Sequence, residues 1–123
     1  MKPIELLALE DLGPELLDGL APKLSRAFGV PCQIRPGRLD ASFARDARRD
    51  QYHSTAILQA LQPLANGSRI LAVTGRDLFV PVLTFVFGEA QLEGNCAVVS
   101  LHRLQEEVYG LPPNPALLQE RLF

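Results

Sequence analysis

What this chain has little of narrows it first. Its two cysteines, Cys32 and Cys96, stand far apart with no Cys-x-x-Cys spacing. That spacing supports neither a disulfide framework nor a thiolate metal site, and it predicts buried free thiols. Basic residues do not outnumber acidic ones, and the net charge of -2 with a pI near 5.6 argues against a nucleic-acid or membrane-surface binder that works through a basic face. No apolar run approaches the roughly 20 residues of a membrane span. Met1-Lys2-Pro3 leads straight into strand-like residues and acids, without the pattern of a signal peptide, so a cytoplasmic location is expected. "TGRD" at Thr74 to Asp77 lacks the lysine and second glycine of a phosphate-binding loop.

Catalytic parts are equally sparse. The two histidines are His53 and His102; Ser54, Asp77, Glu89 and Ser100 are scattered polar residues near element ends. A Ser-His-Asp triad drawn from these has no G-x-S-x-G frame to hold it. A zinc site from His53, His102 and the two cysteines lacks the close ligand spacing that pre-organises such sites. His53 is expected as a helix-surface or capping residue and His102 at a strand end.

What remains is an ordinary globular composition, 47% apolar and 21% charged, sufficient for a single domain over residues 1–123 with one core. Pro3 to Glu10 is a short apolar run of strand length. Leu16, Leu17, Leu20, Leu24 and Phe28 then recur at helical spacing, with Asp11 as a cap, Pro14 in the first turn and Gly29 at the end. Pro22 inside that helix is expected to kink or split it. Val30 to Pro36 reads as a second strand. The sign-alternating stretch after it, with Arg45, Asp46, Arg48, Arg49 and Asp50, reads as a solvated, internally paired surface. "QYHSTAILQALQPLANG" from Gln51 reads as a second helix closed by Pro63 and Asn66-Gly67. Ile70 to Val73 is a strand apolar on both faces, as inside a helix-covered sheet.

Two further strand runs, "VLTFVFGEAQ" and "NCAVVSLHRL", are separated only by Leu92-Glu93-Gly94, which makes an antiparallel hairpin. The fold class is therefore α/β: a mixed, mostly parallel twisted sheet, strand order about 2-1-3-5-4, with two main helices and right-handed crossovers. Val98 to Leu101 joins the parallel strands and Leu83 to Phe87 becomes the antiparallel edge. That edge carries no charge and no proline. Either a loop or partner covers it, or an extended peptide adds to it as another strand. If it binds, charging it, for instance by Val86→Lys, is expected to abolish binding or self-association and leave the fold intact. A small-molecule site of the doubly wound type is the weaker reading, because no glycine-rich loop is present.

The runs Thr74 to Pro81 (T-x-x-D-L-F-V-P), Phe85 to Ala90 (F-V-F-G-E-A) and Ala97 to Leu104 (A-V-V-S-L-x-R-L) resemble the archaemetzincins, zinc metallopeptidases of the metzincin clan. "AFGVPC" and "YHS" upstream are similar too. The resemblance implies a metzincin-like upper subdomain whose edge strand, carried over onto Leu83, Thr84, Phe85, Val86, Phe87, Gly88 and Glu89, binds substrate backbone at the rim of the cleft. It implies a peptide or protein substrate, with no nucleic acid and no membrane. It also implies a zinc held by three imidazoles of H-E-x-x-H-x-x-G-x-x-H, whose glutamate is the general base. No H-E-x-x-H occurs in these 123 residues, so no catalytic or metal-binding residue is assigned, and the 123 residues alone are expected to bind no catalytic zinc and to be inactive.

The closing "NPALLQERLF" has a complete helix cap in Asn114-Pro115 but no glycine, basic last turn or polar tail. By the resemblance it is the start of the active-site helix, beginning at about residue 115 and cut before the zinc ligands. A frayed terminus or a self-association contact is expected there. A non-catalytic peptide-binding or assembly module is the alternative function.

Overall fold

The computed structural model describes residues 2–91 and 94–102, so the expected helix from about residue 115 lies outside the described residues. Along the chain run β1 (Ile4–Ala8), α1 (Pro14–Phe28), β2 (Cys32–Arg38), β3 (Arg45–Asp46), β4 (Gln51–His53), α2 (Ser54–Leu61), β5 (Arg69–Thr74), β6 (Leu78–Phe79), β7 (Gly88–Ala90) and β8 (Cys96–Ser100). The main sheet has the order β2-β1-β5-β8-β7, parallel except for β7. Counting its five strands along the chain, this is the expected order 2-1-3-5-4.

The period-two alternation of the central strands sends successive side chains to opposite faces. Leu6, Val73 and Leu101 join Leu16, Leu17, Leu20 and Leu24 of α1 on one face. Leu7, Ile70, Ala72 and Val98 join Ile57, Leu58 and Leu61 of α2 on the other. Each fully buried leucine or isoleucine contributes about 1.5–3 kcal/mol relative to exposure. Among the described residues no helix is long and apolar enough to cross a membrane.

The first helix is not split at Pro22. Pro22 and Asp18, whose carbonyl loses its partner, are both exposed, so water can take the missing bond. Asp11 acts one step earlier than a cap: its Oδ1 accepts the N–H of Gly13, 3.0 Å away, and Gly13 itself stands at the N-cap. Gly29 closes the helix in the left-handed conformation, its N–H donating to Ser25 O.

Two departures from the sequence reading matter for function. Gln51–His53 is a strand, not the first turn of a helix, and α2 begins at Ser54. With β3 and β6 it makes a second, three-stranded sheet, β3-β4-β6, where a featureless polar surface was expected. The hairpin β3–β4 is folded by its own acids. Asp46 Oδ1 accepts the backbone N–H of Arg48 and of Arg49, and Asp50 takes a left-handed φ of 50°, which a short acidic side chain tolerates.

The two edges of the main sheet differ. On β2, Ile34 pairs with Leu6 and Arg38 with Ala8, so Arg35, Pro36 and Gly37 bulge opposite one residue of β1. Charge, a missing N–H and a bulge all disfavour further pairing there. The other edge, β7, has no proline and no bulge, and its one charge, Glu89, is bonded to Ser54 and Thr55.

Cys32 is half-buried, Cys96 is buried, and both are free thiols, as expected. Burial pushes both thiols above the ordinary cysteine value. The unfolded chain therefore ionises its thiols first; their contribution to native stability is full below the ordinary thiol pKa and is lost as the pH climbs through the raised values. At pH 8 an aromatic disulfide reagent is expected to react slowly with native protein, more slowly at Cys96 than at Cys32, and with both at once in denaturant. Immediate reaction of both thiols in the native protein would contradict their burial.

Candidate functional site

The residues carried over as a substrate-binding edge do not form one strand. Only Gly88 and Glu89 lie in β7, which continues to Ala90. Leu83 to Phe87 form a bent segment with a single bridge, Leu78 to Val86. This corrects the sequence reading, and the reason is tertiary. Arg49 Nη2 donates to the carbonyls of Leu83 (2.6 Å) and Thr84 (3.1 Å). Gln51 Nε2 donates to Thr84 O (2.9 Å) and to Asp77 Oδ2 (2.8 Å). Leu83 N–H closes a turn on Val80 O at 3.0 Å, and Val86 N–H donates to Leu78 O at 2.9 Å. A segment whose carbonyls are held this way cannot also run straight along a sheet. Val86 is half-buried and its N–H is taken, so Val86→Lys would test packing rather than the edge.

Arg49 is the part that the sequence pattern did not reveal. The β3–β4 hairpin aims it at the segment 34 residues away. Its Nε donates to Gln51 Oε1 at 2.8 Å, and its guanidinium lies 4.0 Å over the ring of Phe79. Only its charge, read then as surface, hinted at a partner.

The open edge is therefore short. Ser100 N–H donates to Phe87 O and Gln91 N–H to Cys96 O. The antiparallel alternation then turns the backbone groups of Phe87, Glu89 and Gln91 toward β8. The N–H and C=O of Gly88 and of Ala90 point out of the sheet, and among the described residues no other strand pairs with them. In the stretch of chain that leads into β7, Val82, Leu83 and Phe87 are exposed apolar residues, Val82 at 88%.

Gly88 is fixed by close approach: a Cβ there would stand 2.6 Å from the carbonyl of Val98. Gly88→Ala is expected to push β7 from β8 and to lower stability by about 1–3 kcal/mol, read as a fall in the urea midpoint. An unchanged midpoint would mean that the strands separate freely.

Glu89 faces inward, not toward a substrate. Its carboxylate accepts Ser54 Oγ at 2.5 Å and Thr55 Oγ1 at 2.9 and 3.0 Å, tying the edge to the first turn of α2. His53 precedes that turn and stacks on Phe79, ring centroids 5.3 Å apart. His102 follows β8, its N–H donating to Ser100 Oγ at 3.1 Å.

No catalytic constellation forms from these parts. Ser54 bonds to Glu89 rather than to a histidine. Among the described residues no three His, Cys, Asp or Glu side chains are placed to hold a metal. With two histidines in all, these 123 residues do not fit a tris-imidazole zinc site. The crevice between the carboxyl ends of β1 and β5, where an open α/β sheet takes small ligands, is bridged by the side chain of Glu10. There Glu10 accepts Thr74 Oγ1 at 2.6 Å and Gly75 N–H at 3.0 Å.

No protein-family model matches the chain. It is 40% identical over 111 residues to the archaemetzincin of Methanocaldococcus jannaschii, an alignment covering 90% of this chain and 60% of that protein. It is 39% identical over 85 residues to the archaemetzincin of Archaeoglobus fulgidus, covering 69% of this chain and 51% of that protein. It thus spans about half to three-fifths of these curated relatives. The crystal structure of the A. fulgidus archaemetzincin, complexed with malonate, superposes with a TM-score of 0.81 at 32% identity, over 98% of this chain and 70% of that one. The zinc-dependent peptidase of Methanocorpusculum labreanum superposes with a TM-score of 0.84 at 26% identity, over 97% and 74%.

Proposed function

Because this chain belongs to the archaemetzincin family, we propose that it supplies the substrate-binding rim of a zinc-dependent peptidase acting on peptides or proteins in the cytoplasm. The observation that carries this reading is the outward pair of backbone groups on Gly88 and Ala90, on the main-sheet edge that has no proline or bulge and whose one charge, Glu89, is turned to Ser54 and Thr55. An extended peptide laid antiparallel to β7 meets up to four backbone hydrogen-bonding groups there, and the exposed Val82, Leu83 and Phe87 give its side chains apolar surface.

Zinc, when bound in a peptidase of this kind, activates water against the scissile carbonyl. The 123 residues contribute no ligand set for it, so its ligands would come from outside them. What these residues do is bind and orient the substrate backbone. Arg49 and Gln51 hold the segment before the edge, and Glu89 anchors the edge to α2. The reading is tested by titrating an uncharged extended peptide into the chain and following backbone amides. The N–H groups of Gly88 and Ala90 are expected to shift and gain protection from exchange. If they stay unchanged while the peptide binds elsewhere, the rim reading fails.

The thin ligand inventory also favours a second reading, a non-catalytic binding or assembly module that uses the same edge. Self-association through β7 would appear as a concentration-dependent mass in sedimentation that the uncharged peptide reverses. A mass independent of concentration counts against it.

A further inference from the structure

We infer that the groove beside the rim is a subsite for an acidic peptide segment that carries an aromatic residue. The groove, about 550 Å³, is lined by Phe43, Arg45, Asp46, Arg48, His53 and Phe79. Its size falls within the range of small-ligand sites, roughly 300–1,000 Å³. It lies next to the segment that leads into the rim, because Phe79 forms part of its wall and Arg49 joins Phe79 to the carbonyls of Leu83 and Thr84.

The charges around the groove are unequally committed. Asp46 is occupied at Oδ1 by the N–H groups of Arg48 and Arg49. Arg45 pairs with Asp50 at 3.0 Å in an exposed bridge, a kind that is weak and exchangeable. Arg49 is spent on the carbonyls of Leu83 and Thr84. Arg48 lines the groove, is exposed, and among the described residues its guanidinium has no partner. Three arginines and two aspartates from Arg45 to Asp50 leave a surplus positive charge on a chain whose net charge is -2. A guanidinium of that kind favours a carboxylate, which it can take with two parallel bonds.

The apolar half of the groove points to the other half of the ligand. Phe43 is 56% exposed and packs into no core cluster. It lines the same groove as His53, whose ring is stacked on Phe79. An aromatic side chain entering the groove meets these rings. One surplus charge does not suit a nucleic-acid backbone, which needs several phosphate contacts.

That the groove selects substrates rests on the rim reading; that it binds does not. The test uses the 123-residue chain with N-acetyl-Phe-Glu-amide and its Gln counterpart, following backbone amide shifts. The Glu compound is expected to move amides of residues 43–48 and 53–56 at about tenfold lower concentration than the Gln compound. Arg48→Ala should remove that preference without changing the melting temperature, and Arg48→Lys should restore part of it. Equal midpoints for the two compounds, shifts mapping elsewhere, no shifts at all, or inorganic phosphate acting as well as the Glu compound would each overturn the inference. Failure here with protection retained at Gly88 and Ala90 leaves the rim reading standing; the reverse result sinks the rim alone.

Discussion

Ala90→Pro is expected to abolish peptide addition to β7 and leave the fold in place. Proline has no N–H, and the N–H of Ala90 is one of the outward groups that a peptide would meet. The ladder to β8 is made by Phe87, Glu89 and Gln91, as the bonds at Phe87 and Gln91 show, so none of it passes through Ala90. Proline is tolerated on an edge strand where its nitrogen faces solvent, and Ala90 is exposed. Stability should move by no more than about 1 kcal/mol. Binding should weaken at least about tenfold, from the lost bond and from the ring standing where the peptide carbonyl would lie. Calorimetric titration with the uncharged peptide reads the effect. Undiminished binding by a correctly folded Ala90→Pro chain would move the binding surface away from β7.

Glu89→Ala is expected to cost about 2–4 kcal/mol of stability, because two hydroxyls donate to one carboxylate and bonds to charged groups are the stronger kind. Ser54 is fully buried and keeps only the more distant Phe79 carbonyl, at 3.3 Å, while Thr55 loses the acceptor of both its bonds. Glu89→Gln retains an acceptor oxygen and should lose less than half as much. Chemical denaturation separates the two variants. If both lose the same small amount, Glu89 is not the tie between the edge and α2, and a direct substrate role for its carboxylate becomes the better reading.

The sequence made the sheet order legible because its signals are local or strongly patterned. Ile70 to Val73 is apolar on both faces, as an interior strand requires. The short Leu92-Glu93-Gly94 connection forces β7 and β8 to be antiparallel neighbours. The small sheet was not legible: its strands are two or three residues long, too short for a period to show. Tyr52 in β4 is placed by a bond from its N–H to Asp77 O and by the guanidinium of Arg76 over its ring, neither of which a local pattern can announce.

The start of the edge strand was misjudged for the same reason. Five consecutive residues from Leu83 to Phe87 have strand-like chemistry. Arg49 and Gln51, more than thirty residues earlier, take two of the carbonyls and bend them. Glu89 fell within the expected site, but its role changed when α2 was found to begin at Ser54. The family resemblance put the expected site within a few residues of the open edge β7; which backbone groups face outward came from hydrogen-bond parity at Gly88 and Ala90.

The unequal edges of the main sheet also bear on how the protein behaves at high concentration. A strand-by-strand polymer needs two sticky ends on every subunit, and here the bulge at Arg35, Pro36 and Gly37 removes one of them. Two copies meeting through β7 would each use up their growth point, and the assembly would stop at a pair. If copies do pair through β7, a concentrated solution should thus plateau at a dimer instead of gelling or forming fibrils, with β2 acting as a built-in chain terminator.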